Sequence, residues 1–157
     1  MAYIRSMTQE KQEAMALALA EARAAMARDE VPVGAVVFDA RGAVLAQAGN
    51  GVEAGHDASA HAELLAMREA ARLRGDARLT GCTVVVTLEP CPMCAAAMVH
   101  FRVARVIFGA YDSKGGGVEH GPRIFEQPRC LHRPEVVGGV GERESAALLK
   151  EFFRKRR

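Results

Sequence analysis

The chain has 157 residues, half of them hydrophobic and a quarter charged, with four cysteines, no tryptophan and a formal net charge of +2. Residues 1–157 are long enough for one domain with a real buried core. The composition is that of an ordinary globular protein, with no general case for nucleic acid from so small a net charge and no disulfide framework from four cysteines. No apolar stretch approaches the roughly 20 residues needed to span a bilayer. No basic start followed by an apolar core and cleavage site opens the chain, so a secretory leader is not expected. Cysteine usage points to the cytoplasm.

The first expected element is an amphipathic helix from Ser6 to Arg28, where Met15, Ala18, Leu19, Ala22, Ala25 and Met26 recur at helical spacing. Ser6 and Gln9 have the spacing of a capping box. Val33–Asp39 and Ala43–Ala48 read as short strands joined by a hairpin at Ala40-Arg41-Gly42. A loop, 49–58, precedes a helix from about Ser59 to Arg74 that stops at Gly75. The run Cys82–Leu88 is β-branched without polar alternation, as in a strand buried on both faces. It feeds Glu89-Pro90 and a helix through Met98. Val103–Gly109 is another buried strand. A loop rich in glycine and proline spans Tyr111 to Pro134, and loops of that length are often functional. Val136-Val137 suggests a last strand and Glu142–Phe153 a last helix. This order implies an α/β fold with helices on both faces of a mixed sheet.

Two stretches carry chemistry: His61-Ala62-Glu63 and Pro90-Cys91-Pro92-Met93-Cys94. Alone, an H-x-E is a common surface pattern, and a C-x-x-C is more often a redox pair or half of a structural zinc knuckle. Together and in this order, with proline before the first cysteine, they match zinc-dependent nucleobase deaminases. The set supplies three zinc ligands, His61, Cys91 and Cys94, and no obvious fourth. Structural sites are usually closed by four protein ligands, whereas catalytic ones leave a position for water. Both stretches fall at helix N-termini, where the helix dipole favours a thiolate. His61 and Glu63, two apart, would diverge by about 200° on an ideal helix, which demands that the first turn be sunk into the protein.

One imidazole and two thiolates leave bound zinc about neutral, so it acidifies water less than a three-histidine site does. A base is therefore needed, and Glu63 is the candidate to take the proton of water and return it to the ring nitrogen and then to the leaving ammonia. Glu89, cut off from Cys91 by Pro90, reads as a supporting residue. Cys82 reads as a buried thiol, and Cys130 as a loop thiol, free or partly exposed. The terminal run Phe152-Phe153-Arg154-Lys155-Arg156-Arg157 is either a nucleic-acid contact or a solvated helix end.

With these residues in view, nearly the whole chain resembles the bacterial tRNA-specific adenosine deaminases. The matching stretches are Glu30–Val36, Asn50, His56-Asp57, Ala60–Glu63, Thr87–Cys94, Phe108–Ala110 with Asp112 and Lys114, and the terminal Phe-Phe-Arg. The resemblance implies a three-layer α/β/α cytidine-deaminase-like fold around a central mixed five-stranded sheet, one Zn2+ per chain, and a homodimer. The implied reaction is adenosine to inosine at the wobble position of a tRNA anticodon stem-loop. By position, Asn50 carries over as a contact to the flipped nucleotide, and the backbones of Ala62 and Pro90 as pocket wall. Asp112 and Lys114 carry over as RNA contacts. Read without the resemblance, Asn50 is a turn residue after a strand.

The long loop departs from the family. Gly115-Gly116-Gly117-Val118-Glu119-His120 replaces its usual alanine, glycine and serine run, and Leu131-His132 replaces an Asn-His pair. Substrate contacts across 115–132 therefore do not carry over. Two other functions compete: deamination of a small free base or nucleotide such as guanine or cytosine, and a non-catalytic zinc module. A cysteine is usual at the place of His61 in nucleoside cytidine deaminases, and a purely structural site has no use for Glu63.

Overall fold

A computed structural model describes residues 6–156; Arg157 of the terminal basic cluster lies outside them. Helix α1 (Met7–Ala27) starts at Ser6, whose hydroxyl accepts from the Gln9 amide while the Gln9 side chain accepts from the Ser6 amide, completing the capping box. Strands β1 (Gly34–Phe38) and β2 (Val44–Gly49) pair antiparallel. Their turn is shaped by Asp39, whose Oδ1 accepts from the Arg41 and Ala43 amides, and by Gly42 at φ 85°. Helix α2 (Ala62–Arg74), strand β3 (Thr83–Leu88), helix α3 (Pro92–His100) and strand β4 (Arg105–Ala110) follow. The segment after β4 holds a short 3-10 turn at Ile124–Glu126, absent from the sequence reading, before β5 (Glu135–Val137) and α4 (Glu142–Arg154).

The sheet is mixed and five-stranded in the order β2-β1-β3-β4-β5, with β1 antiparallel to both neighbours and β3, β4 and β5 parallel. Side chains on a strand alternate between faces, and here the alternation makes two cores. Ala35, Val37, Val84, Val86, Val106 and Phe108 pack with Ala66, Met67 and Met98 of α2 and α3. Val36, Val85 and Ile107 pack with Met15 and Leu19 of α1 and with Leu148 of α4. The result is the expected three-layer α/β/α fold. Gly34 lies where β1 passes closest to α1: a Cβ there would strike the Ala18 carbonyl and the Ala22 amide. The two helices that carry ligands, α2 and α3, share one face and begin at the same end of the sheet, where β3 and β4 terminate.

Candidate active site

Sequence spacing alone left His61 and Glu63 on divergent faces, and the backbone resolves this. His61 is not helical; it is the N-cap of α2, extended at φ −75° and ψ 146°. Glu63 follows in the first turn. His61 Nδ1 and Glu63 Oε1 come within 3.9 Å of one another. Cys91 is the N-cap of α3, also extended, with Pro92 in the first turn where no amide is missed. Cys94 is three residues on, fully buried.

The three donors converge. His61 Nδ1 lies 3.6 Å from Cys91 Sγ and 3.6 Å from Cys94 Sγ. A tetrahedral ion with Zn–N near 2.05 Å and Zn–S near 2.3 Å requires an N···S edge of about 3.6 Å. Both N···S edges thus match those of a zinc site. Among the described residues no further side chain joins the cluster, so one coordination position is left open. Cys82 is a buried thiol beside Arg74, and Cys130 Sγ faces the His132 carbonyl; neither is near the cluster.

The sulfurs are poised for a cation. A hydrogen bond from the Cys94 thiol holds Cys91 down at about 4 against its burial, helped by His61 and the Cys94 amide. The same bond and its own burial push Cys94 up. One thiolate is therefore available at neutral pH, and the other proton leaves as metal binds. The Cys91 sulfur in turn raises the His61 imidazole. Glu63 is buried, and this desolvation raises its carboxyl above the ordinary carboxylate value. Its Oε2 is buried without a hydrogen-bond partner among the described residues. An orphaned carboxylate oxygen beside a metal cluster is a group waiting for a proton-bearing reactant.

His61 has its ring committed to the cluster and makes no side-chain cap to α2. The missing cap comes from a distance: Asn50 Oδ1 accepts from the Ala62 amide at 2.8 Å. Asn50 is therefore more than a turn residue. Ala62 is fully buried with that N–H occupied. Pro90 is buried too, and its carbonyl accepts from Gly117 at 2.8 Å. Asp112 Oδ1 accepts from the Lys114 and Gly115 amides, shaping the loop, whereas Lys114 is exposed and forms no ion pair among the described residues.

Glu89 proves to be a hub. Its Oε1 accepts from the Asp112 amide (3.1 Å) and meets His120 Nδ1 (2.8 Å). Its Oε2 accepts from the Val118, Glu119 and His120 amides at 3.2, 3.0 and 3.1 Å. The divergent run 115–120 is thus wrapped around a buried carboxylate two residues before a metal ligand. Its glycines follow from that: a Cβ on Gly116 would hit Glu89, and one on Gly117 would stand 2.5 Å from Pro92 N. Glu30, to which the sequence assigns no role of its own, is a third buried carboxylate beside Glu63 and Glu89, bound to the Glu53 and Ala54 amides. The one signal was an acidic residue at the entry to an apolar strand.

The terminal cluster is partly tied down. Arg156 stacks 4.0 Å over the buried Phe152 and donates to the Asp29 carbonyl and carboxylate, and Lys155 pairs with Glu151. Phe153 is half exposed. A groove between the start of α1 and the β1–β2 hairpin contains none of the site residues.

Comparison with known proteins agrees with this geometry. Residues 8–110 match the family model for the cytidine and deoxycytidylate deaminase zinc-binding region. The chain is 50% identical over 149 residues to a tRNA-specific adenosine deaminase of Agrobacterium fabrum, covering 94% of this chain and 97% of that one. It superposes with a TM-score of 0.85, at 50% identity and over 87% of this chain and 99% of the other, on a structure from work on A-to-I editing by tRNA:A34 deaminases at the wobble position. A guanine deaminase from Nitrosomonas europaea is similar at 27% identity and a TM-score of 0.73, over 90% of this chain and 83% of that one. The donor set holds one Zn2+ per chain. From its first helix through β4, the chain belongs to the cytidine and deoxycytidylate deaminase family.

Proposed function

We propose that this protein is a tRNA-specific adenosine deaminase, converting adenosine to inosine at the wobble position of an anticodon stem-loop, with water consumed and ammonia released. The observation that carries the reading is the near full-length likeness, at 50% identity, to a tRNA-specific adenosine deaminase. The guanine deaminase likeness is weaker at 27% identity, and the non-catalytic reading leaves the orphaned Glu63 oxygen without a purpose.

When bound by His61, Cys91 and Cys94, zinc supplies a Lewis acid that activates the attacking water. Glu63 does the proton work. Its carboxylate accepts a proton from that water as the C–O bond forms at the amine-bearing carbon. It passes that proton to the ring nitrogen, then takes the remaining proton of the newly added hydroxyl and delivers it to the departing amine as the C–N bond breaks and the carbonyl forms. Burial raises the Glu63 carboxyl, which favours holding a proton between these steps. Asn50 offers its amide N–H to the extruded nucleotide while its oxygen holds α2. The walls attributed to Ala62 and Pro90 are backbone surfaces already fixed by Asn50 and Gly117. Lys114 presents a free ammonium to phosphate, and Asp112 shapes the loop that carries it.

In this reading residues 1–157 form one catalytic domain, working in the cytoplasm as a homodimer. The dimer is the assembly that the family resemblance implies. No helix among the described residues is long and apolar enough to cross a membrane. The test is to assay the zinc-loaded protein on an anticodon stem-loop and on free adenosine, cytidine and guanine. Inosine should appear in the RNA and none of the small substrates should turn over. Deamination of guanine with the stem-loop untouched would replace this reading by the guanine one, and sedimentation at micromolar concentration reads the dimer.

A further inference from the structure

We propose that Glu30, more than ten residues from any ligand in sequence, is a positioning residue for the active site, acting through the loop that carries Asn50. The carboxylate is 2% exposed and no cation pairs with it among the described residues. A buried charge without a counter-ion is costly unless donors surround it, so its partners state its purpose. They are the Glu53 amide at 3.1 Å and the Ala54 amide at 2.8 Å. These two N–H groups open a helical turn closed by bonds from Gly55 N to the Gly51 carbonyl and from His56 N to the Glu53 carbonyl. The first amides of such a turn have no partner within it, and the Glu30 carboxylate supplies one.

Glu30 is itself held, since its amide donates to the Ala25 carbonyl at the end of α1. Three residues on, the Val33 carbonyl accepts from the Asn50 amide, and Gly51 N donates to the Ala60 carbonyl. The segment 30–33 therefore grips the loop at two points, by a side chain at 53–54 and by backbone at 50. At the backbone grip Asn50 aims its oxygen at the amide of Ala62, the residue between the ligand His61 and the proton carrier Glu63. Releasing the loop at 53–54 leaves Asn50 held by its backbone and its side chain able to turn, and the first turn of α2 loses the cap that Asn50 supplies. A misplacement of about 1 Å in a catalytic array costs about 100-fold in rate.

The kinetic consequence rests on the deaminase reading above; the structural one does not. The experiment is amide hydrogen exchange by NMR on the zinc-loaded full chain, comparing the wild type with Glu30→Ala and Glu30→Gln. Glu53 and Ala54 should both lose protection in Glu30→Ala and one of the two in Glu30→Gln. Ala62 should exchange at least about tenfold faster in Glu30→Ala and less so in Glu30→Gln, which keeps one acceptor, with β3 amides unchanged. Wild-type protection at Ala62 with free exchange at 53 and 54 would make Glu30 a local loop cap and overturn the inference. If Glu30→Ala does not fold, Glu30→Gln decides by the same criterion at whichever of the two amides it frees. The kinetic arm is a double-mutant cycle on the stem-loop. Glu30→Ala should cost about 10- to 100-fold in kcat/KM in the wild type and less than about threefold in an Asn50→Ala background. Additive losses overturn the inference. A wild type inactive on the stem-loop defeats the substrate reading, and the exchange result then decides this one.

Discussion

Replacing Glu89 by glutamine tests whether the loop before the 3-10 turn is held by one buried carboxylate. The side chain is fully buried and receives four backbone N–H groups and the His120 ring. Glutamine has nearly the same shape but one oxygen. The less costly placement turns that oxygen toward the Val118, Glu119 and His120 amides. The new NH2 then faces the Asp112 N–H, and His120 accommodates it by changing tautomer. One backbone N–H is left buried and unpaired, a loss of about 1–3 kcal/mol. The three surviving bonds weaken, because a neutral acceptor binds a donor about half as strongly as a charged one. Together the loss is about 3 kcal/mol. For a chain of this size that lowers the melting temperature by about 6–12 °C. The measurement is thermal and urea unfolding of the zinc-loaded protein, with zinc content and exchange at residues 112–120 followed in parallel. A Glu89→Gln protein within about 0.5 kcal/mol of wild type, with the loop still protected, would refute the hub.

Burial alone would raise the Glu89 carboxyl, but the His120 ring and the backbone donors hold it below its ordinary value. A group with a depressed folded pKa contributes stability that is present above its unfolded value of about 4.3 and lost as the pH falls through the lower folded value. The urea midpoint should therefore drop more steeply below about pH 4.5 in wild type than in Glu89→Gln, and parallel curves would contradict the attribution. Glu63→Gln should abolish turnover while zinc stays near one per chain; loss of metal with activity would make Glu63 a ligand. Deleting residues 154–157 should weaken RNA binding and flatten its dependence on salt, since each phosphate contact releases counterions. Because Arg156 also covers Phe152 and holds Asp29, a stability loss of about 1 kcal/mol should accompany it. Unchanged stem-loop turnover at physiological salt would show the tail to be a helix end only.

Ligand chemistry was legible in the sequence because it belongs to side chains: imidazole, thiolate and carboxylate are rare groups, and His61, Glu63, Cys91 and Cys94 declare themselves by type and spacing. The helices and the hairpin were legible for a similar reason, since Ser6, Gly42 and Gly75 punctuate the chain locally and periodicity marks the faces between them. Helix geometry taken alone misplaced Glu63 relative to His61; only the extended backbone of His61, held in the fold, brings the two together. The supporting contacts stayed hidden. Glu30, Glu89 and Asn50 all act on backbone N–H groups 12 to 31 residues away along the chain. Every residue but proline carries the same N–H, so nothing in the sequence marks which amides a buried carboxylate will collect. That pairing is decided when the sheet and its two pairs of helices close, because burial leaves each polar group to find its partner among whatever the fold has brought within reach.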